Sequence, residues 1–373
     1  MIKKEWITEL VDRTPEWFEY RKKGLGASES GIVSGLNPYR PTKMELYHIK
    51  VGTEERINIM SEAAFHGIHT EDYVARLWQY YDGMENGYIA NYESDTIQRN
   101  MYNLKGCVCN PDFPWLFCNY DRVIKAGSSK LNADGTFSGE VLEHDAPLEI
   151  KTMSSFVSKA YDGGVPDYYI SQVHQQMLIM ESDYAEIAVL IDGRNLKVFP
   201  IQRDEAIIDM IIDKTAEFWA RVLKGREAHK KAHEALHLDD EEMYNDYLQE
   251  VMMYEPEPDH NDNYSAYLSE RHEMEDERML GDDELLNQVK HLQSVKAMIK
   301  ILDKEKREVE NKVKHKFVQE SVEKIEFSGE GYARYYQRGG NKTKTLDVRI
   351  SKPDDFVLGV QLEKIDREIG YLI

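Results

Sequence analysis

The 373-residue chain lacks long apolar segments and has few cysteines, and both shortages limit what it can be. No apolar run approaches the roughly 20 residues that a membrane-spanning helix needs, so no membrane partner is expected. The first residues, MIKKEWITELVDR, also lack the apolar core of a secretory signal peptide. The three clustered cysteines, Cys107, Cys109 and Cys118, are too few for a disulfide framework and one short of a four-cysteine metal site. These absences favour a reducing, cytoplasmic setting.

Positive charge is also scarce, because the net charge is −21 at pH 7, which on its own argues against a nucleic-acid partner. The acidity, however, is local. Between Glu234 and Glu284, 19 acidic residues stand against two arginines, a net charge of −17 that leaves only −4 for the other 322 residues. The overall charge therefore says little about the partner. Because it is highly charged and poor in aliphatic residues, the segment 237–282 is predicted to be an acidic linker or loosely ordered.

Hydrophobic periodicity predicts a different organisation on each side of that segment. Helical and strand-like runs alternate through residues 1–236, which indicates an α/β core. Residues 283–373 predict an accessory region in which an apolar stripe forms a long helix from Asp283 to about Glu320. A basic β-hairpin follows, with Gly339–Gly340 at or near its turn. Its neighbouring tyrosines, Tyr335 and Tyr336, suit either a sheet face or stacking on bases.

The segment PLEIKT, residues 147–152, carries the main chemical signal. In a strand, Glu149 and Lys151 share one face while Ile150 faces the core. The simplest interpretation is a same-face ion pair, worth about 0.5 kcal/mol. Asp121, in the strand-like run FCNYDRVIKAG, would approach Glu149 if the two strands pair antiparallel. Two carboxylates converging in a dry pocket favour a cation between them, and an oxygen-rich site suits Mg²⁺ or Mn²⁺.

This D…ExK arrangement resembles the signature of PD-(D/E)XK nucleases, and three more motifs resemble the YqaJ and lambda-type viral exonucleases. WFEYRKKGLGASES supplies Trp17, Arg21 and Ala27–Ser28–Glu29, HGIHTED supplies Glu71, and YYISQVHQQM is similar to the family's glutamine-rich helix. The resemblance runs from about residue 14 to residue 219. It implies an α/β fold with a PD-(D/E)XK core, a mixed β-sheet flanked by helices, followed here by the long helix and hairpin.

The resemblance also implies a metal site. Asp121, Glu149 and the carbonyl of Ile150 would bind Mg²⁺, for which Mn²⁺ can substitute. Glu71 would hold a second metal ion or its waters. Lys151 would activate the attacking water, since an ammonium on that face can orient it and balance the charge that develops on the phosphate.

Other matched residues are implied to bind the substrate end or to support the site. Arg21 and Ser28 would bind a terminal 5′ phosphate, the arginine through a charge-assisted pair. Gln172 and Gln176 would orient their helix against the site. His174 replaces a glutamine of the family pattern and can still donate one hydrogen bond to a phosphate or water. The 122–147 connection is longer than usual. Trp17 is expected in the core.

By resemblance, the chain would be a Mg²⁺-dependent exonuclease that digests double-stranded DNA from 5′ to 3′ in phage-type recombination. It would leave a 3′ overhang for a single-strand annealing or recombinase protein, form a trimeric ring, and work in the cytoplasm of a bacterial host. A nicking or structure-specific endonuclease of the same fold is an alternative, and a DNA-binding module would not need the acids. HEALH, residues 233–237, matches a zinc metalloprotease motif, but its polar flanks favour a solvated helix end.

Overall fold

The computed structural model describes residues 2–11, 13–55, 61–81, 99–155, 164–271, 281–327, 331–337 and 344–350. The chain divides into two compact units, Met1–Glu273 and Met274–Ile373. That boundary falls inside the acidic segment, whereas the sequence placed its limits at 236/237 and 282/283. Residues 82–98, which belong to the region of alternating helical and strand-like runs, and the predicted hairpin turn at Gly339–Gly340 lie outside the described residues. Within the described ranges, no helix is long and apolar enough to cross a membrane.

The first unit, as far as it is described, contains eight α-helices. They are α1 (Pro15–Arg21), α2 (Ala27–Val33), α3 (Lys43–Val51), α4 (Glu62–Gln79), α5 (Asp167–Met180), α6 (Glu205–His237), α7 (Glu241–Met253) and α8 (Asn263–Arg271). Local signals in the sequence set their ends. Thr14 caps α1 and accepts a hydrogen bond from the Trp17 amide, and Gly52 ends α3 in the left-handed conformation that glycine favours.

Five strands form the central sheet in the order β11-β10-β9-β6-β3. They are β3 (Met101–Tyr102), β6 (Arg122–Ile124), β9 (Ala146–Met153), β10 (Tyr184–Ile191) and β11 (Asn195–Gln202). Strands β9 and β10 run parallel, whereas the other neighbours are antiparallel. The smaller two-stranded pairings are β1 (Ile7–Thr8) with β4 (Cys107–Val108), β2 (Leu25–Gly26) with β5 (Leu116–Phe117), and β7 (Ser129–Leu131) with β8 (Phe137–Val141). The predicted mixed sheet flanked by helices is confirmed.

Alternation along β9 and β10 lets helices pack on both faces of this sheet. On one face, Trp78 of α4 joins a buried cluster with Ile150 of β9. On the other face, Val173 of α5 packs in a cluster with Ile187 of β10. Because neighbouring strand residues point to opposite faces, Glu149 lies on the α5 side of the sheet. The predicted orientation of PLEIKT, with Ile150 in the core, is confirmed.

The second unit contains the long helix and a small antiparallel sheet. Helix α9 spans Asp283–Glu320, as the sequence predicts. The hairpin strands β13 (Gly331–Gln337) and β14 (Lys344–Ile350) pair antiparallel, and a third strand, β12 (Lys324–Phe327), extends the sheet. The ring of Tyr335 lies 6.1 Å from that of Phe317 at the end of α9, so this tyrosine packs within the unit.

The acidic segment differs from the expectation of loose order, since α7 and α8 form within it and pack on the first unit. Val251 of α7 is 2% exposed, and its carbonyl accepts a hydrogen bond of 2.8 Å from the Tyr47 hydroxyl. Nε2 of buried His48 lies 2.8 Å from the Glu255 carboxylate and 2.7 Å from Nη1 of Arg271. Polar contacts therefore hold a segment whose apolar content is low.

Replacing Val251 by alanine tests whether this segment belongs to the folded core. Two buried methyl groups are lost, so we expect a loss of roughly 2 kcal/mol of unfolding free energy, measured by denaturant titration. Met253→Ala is the matched control, because this side chain on the same helix is 78% exposed. Equal, near-zero changes in both variants would show that α7 does not contribute to the core.

Candidate active site

Strand β9 presents the acid and the base of PLEIKT side by side. Glu149 is buried and forms a close ion pair with Lys151 through Oε1. The Lys151 ammonium also lies 4.8 Å from the centre of the Tyr169 ring. Burial lowers the pKa of Lys151, but Glu149 and Asp121 outweigh it and raise that pKa above its ordinary value. The lysine is therefore charged at neutral pH.

Helix α5 fixes the Glu149 carboxylate from the other side. Nε2 of Gln172 donates to Oε1 at 2.6 Å, and Nε2 of Gln176 donates to Oε2 at 2.7 Å. The spacing of four residues puts both amides on one face of the helix. Both carboxylate oxygens are thus held in place by side-chain amides, as the implied orienting role requires.

Asp121 stands immediately before β6 and meets β9 at Ile150. Its Oδ2 accepts a hydrogen bond of 2.8 Å from the Ile150 amide, so the antiparallel pairing does bring it to the ExK strand. Burial first, and then the Glu149 carboxylate, raises the pKa of Asp121 well above its ordinary value, although Lys151 opposes the rise. The carboxylates of Asp121 and Glu149 therefore repel each other, and the Lys151 ammonium offsets this repulsion only in part.

Glu71 reaches the site from α4, where Arg122 pairs with it. Nη1 of Arg122 contacts the Glu71 carboxylate, and Nη2 contacts Asp72. Sequence reasoning missed Arg122, which follows Asp121 at the start of β6 and is buried there. Glu71 consequently has a protein counter-ion within the site.

A cavity of about 450 Å³ joins most of the predicted residues. Its lining includes Arg21, Ser28, Glu71, Asp121, Glu149 and Gln172. Lys151 and Gln176 are connected to it through Glu149. The expectation that Trp17 is a core residue is wrong in part, because Trp17 is only half-buried and also lines this cavity.

Arg21 and Ser28 line the same cavity as Glu149. The Arg21 guanidinium lies 4.8 Å from the Trp17 ring and its Nη2 donates to Glu29 at 2.9 Å. Ser28 is exposed at the start of α2. The motif ASE therefore contributes a carboxylate that orients the arginine, a role that the sequence alone did not assign to Glu29.

The histidines singled out in the sequence lie outside the carboxylate cluster, which is formed by Glu71, Asp121 and Glu149. Buried His174 accepts a 3.2 Å hydrogen bond at Nε2 from the Asp204 amide, and its Nδ1 lies 2.8 Å from the Ile170 carbonyl. It joins α5 to the start of α6 rather than facing the cavity. In HEALH, His233 and His237 are exposed near the end of α6, and Nε2 of His233 lies 3.2 Å from that of His229.

The residues present fit a hard divalent cation. The donors that Asp121 and Glu149 offer are carboxylate oxygens, the ligands that Mg²⁺ and Mn²⁺ prefer. Burial first, and then the Glu149 carboxylate, raises the pKa of Asp121, and a bound cation would counter both effects. Among the described residues, no group of three or more His, Cys, Asp or Glu side chains is already gathered as a metal cluster. Any complete coordination sphere would therefore need backbone, water or substrate oxygens as well.

Comparison with known proteins gives one family match and several distant relatives. Residues 16–184 match the YqaJ-like viral recombinase domain. Over 216 residues the chain is 30% identical to the uncharacterized protein YqaJ of Bacillus subtilis (strain 168), which covers 57% of this chain. The chain spans 57% of that relative's own length.

Two solved structures are similar at a lower level. An alkaline exonuclease from Laribacter hongkongensis is 18% identical with a TM-score of 0.43, covering 60% of this chain and 100% of its own. A phage-related exonuclease from Haemophilus somnus 129PT is 13% identical with a TM-score of 0.33, covering 54% of this chain and 95% of its own.

Proposed function

Because residues 16–184 of this chain match the YqaJ-like viral recombinase domain, we propose that the protein is a Mg²⁺-dependent nuclease that digests double-stranded DNA from its 5′ ends. The observation that carries the proposal is the Glu149–Lys151 pair on one strand face, with Asp121 bonded to the intervening Ile150 amide. Two acids that can hold a metal ion, with an adjacent ammonium that stabilises negative charge, suit phosphodiester hydrolysis.

In this proposal the two carboxylates hold the metal ion. Asp121 and Glu149 bind it, the Ile150 carbonyl adds a ligand, and Glu71 holds a second ion or its waters. When bound, the cation polarises the phosphate oxygens and lowers the pKa of water. Mn²⁺ can replace Mg²⁺, because both accept oxygen ligands.

The remaining side chains orient the reactants. Lys151 holds the attacking water and balances the negative charge that grows on the phosphate in the transition state. Gln172 and Gln176 keep the Glu149 oxygens in place, since each donates to one of them. Arg21 and Ser28 bind the terminal 5′ phosphate in the same cavity and so set where the chain is cut.

Digestion from 5′ ends leaves a 3′ single strand, which suits an annealing or recombinase protein as partner. A homotrimeric ring would keep the enzyme on its DNA, and the bacterial cytoplasm is the expected location. The experiment is incubation of end-labelled linear duplex and closed circular DNA with the purified protein, in Mg²⁺ and in EDTA. Mononucleotide release from linear DNA in Mg²⁺ alone is expected. Cutting of closed circles would favour the endonuclease alternative, and no cutting at all would favour a binding module.

His233→Ala tests the remaining metalloprotease alternative. We expect unchanged nuclease activity, because His233 is exposed on α6 and lies outside the carboxylate cluster. Elemental analysis of the wild-type protein should find no stoichiometric zinc. One zinc per chain that disappears in the variant would instead revive HEALH as a metal site.

A further inference from the structure

The two faces of the hairpin strand β13, in the second unit, have different surroundings. Side chains alternate along a strand, so Ala333 and Tyr335 share one face, whereas Tyr332, Arg334 and Tyr336 share the other. On the first face, Ala333 is 2% exposed and the Tyr335 ring packs at the end of α9. On the second, Arg334 is exposed. The first is therefore the inner face of the sheet and the second its outer face, so the neighbouring tyrosines Tyr335 and Tyr336 lie on opposite sides.

The outer face places a cation beside each of its two aromatic rings. Nζ of Lys324, on β12, lies 5.1 Å from the centre of the Tyr332 ring, and Cζ of Arg334 lies 5.3 Å from that of the Tyr336 ring. The two tyrosines are half-buried, whereas Lys324 and Arg334 are exposed. The tyrosines are four positions apart, or about 13 Å along the strand, with Arg334 between them. The outer face thus combines two spaced rings with accessible positive charge.

The charge of this sheet favours a polyanion, but only weakly. Residues 324–350 carry six Lys or Arg against three Asp or Glu, a net charge of +3 in a chain whose total is −21. On the outer face itself the charge is mixed, because Glu326 pairs with Lys324 and Asp347 lies opposite Arg334 on β14. Charge can therefore attract a nucleic acid to this sheet, whereas the choice between nucleic acids must come from the rings.

We propose that the outer face is a stacking platform for single-stranded DNA. Unpaired bases stack on Tyr332 and Tyr336, and the phosphates between them lie near Lys324 and Arg334. Aromatic side chains beside cations bind single strands of any sequence in this way, because every base has a flat π face. Paired bases stack inside a duplex and do not offer that face. The binding itself needs no cleavage; that the strand is the 3′ overhang rests on the proposed function, which produces one.

The test measures the binding of a fluorescent single strand of about 12 nucleotides to the full-length protein by anisotropy, in EDTA. The duplex of the same sequence and the corresponding RNA strand are the comparison ligands. Tyr332→Leu and Tyr336→Leu keep apolar bulk on the strand but remove the flat ring, and Tyr336→Phe keeps the ring without its hydroxyl. Val348→Ala is the matched control, since this side chain is 49% exposed on β14 and lies opposite Ala333 of the inner face.

We expect each leucine variant to bind the single strand about 10-fold more weakly, the scale on which stacking of one base contributes to affinity. Tyr336→Phe and Val348→Ala should bind like the wild type, and the affinity of every variant for duplex should be unchanged. Arg334→Met should lower the salt dependence of single-strand binding by about one phosphate. Melting curves identify folded variants, and a purely structural role of the rings would not be rescued by phenylalanine while sparing duplex binding.

Several results would overturn the inference. They are no binding of the single strand by the wild type, an unchanged affinity in the folded leucine variants, or equal losses for single strand and duplex. Tighter binding of the RNA strand would overturn the assignment to DNA.

Failure of the proposed function gives a different pattern, because these measurements do not depend on cleavage. A protein that binds single strands through Tyr332 and Tyr336 yet cuts no DNA would overturn the nuclease proposal and leave the platform. A protein that digests linear DNA but binds single strands equally well without these rings would overturn the platform alone.

Discussion

Lys151→Ala and Glu149→Ala are expected to abolish Mg²⁺-dependent DNA cleavage while the fold persists. Lys151 supplies the positive charge beside the attacking water, and removing a group of this kind costs about 100- to 1,000-fold in rate. Glu149 is a proposed metal ligand, so its loss removes the cation as well. Glu149 contacts Lys151 on the same strand and Gln172 on α5. Asp121 accepts a hydrogen bond from the amide of Ile150, which lies between them.

The measurement is the initial rate of nucleotide release from linear duplex in Mg²⁺, on protein purified free of host nucleases. Lys197→Ala is the matched control, because this lysine lies exposed on β11 of the same sheet. Glu149→Gln complements Glu149→Ala, since it keeps the buried volume and leaves the melting temperature closer to wild type. Wild-type rates in folded Lys151→Ala or Glu149→Ala would remove the proposed catalytic site.

The ExK strand was predictable because its signal is local. Alternation along PLEIKT fixes which side chains share a face, and an antiparallel return strand is enough to bring Asp121 to Glu149. The amides of Gln172 and Gln176 follow from helical spacing in the same way. Each of these inferences needs only the side-chain periodicity of one helix or strand, or the pairing of two neighbouring strands.

The charged partners of the site were not predictable by such means. Arg122 pairs with residues about 50 positions away, and Lys50 contacts Glu29 and the backbone of α1 from another helix. The periodicity of a helix or strand relates only residues close in sequence, so it cannot link positions this far apart.

The acidic segment shows the limit of composition as a guide to order. Its aliphatic content is low, yet the Asn261 side chain donates to the Asn37 carbonyl at 2.8 Å, and the Asn263 side chain donates to the Pro38 carbonyl at 2.8 Å. These anchors join residues more than 220 positions apart. Side-chain hydrogen bonds to a distant backbone leave no compositional trace, so a polar segment can be mistaken for a linker.

Arg21→Ala is expected to slow the digestion of 5′-phosphorylated duplex selectively. Losing one charge-assisted contact to a phosphate costs roughly 1.5–3 kcal/mol, or about 10- to 100-fold. The fold should survive the change, because Glu29 keeps Lys50 as its counter-ion. The requirement for Mg²⁺ should not change, since the carboxylates of Asp121 and Glu149 are untouched.

Lysine at position 21 should recover only part of the loss. The guanidinium can donate to Glu29 through Nη2 while its other edge faces a phosphate, whereas an ammonium is a point charge without that planar fork. Buried Glu29 would also compete for the new ammonium, which reaches less far than the arginine. We therefore expect Arg21→Lys to lie between the wild type and Arg21→Ala in its preference for phosphate ends.

The ratio of initial rates on phosphorylated and dephosphorylated ends decides between end recognition and a general backbone contact. If Arg21 reads the end, the ratio falls toward one in Arg21→Ala, and Lys22→Ala keeps the wild-type ratio. If Arg21 is a general contact, all substrates weaken alike and the salt dependence of binding falls by about one phosphate. An unchanged ratio would contradict the end-reading role. Strong cutting of closed circles by the wild type would contradict exonuclease action as well, because a circle offers Arg21 no terminal phosphate.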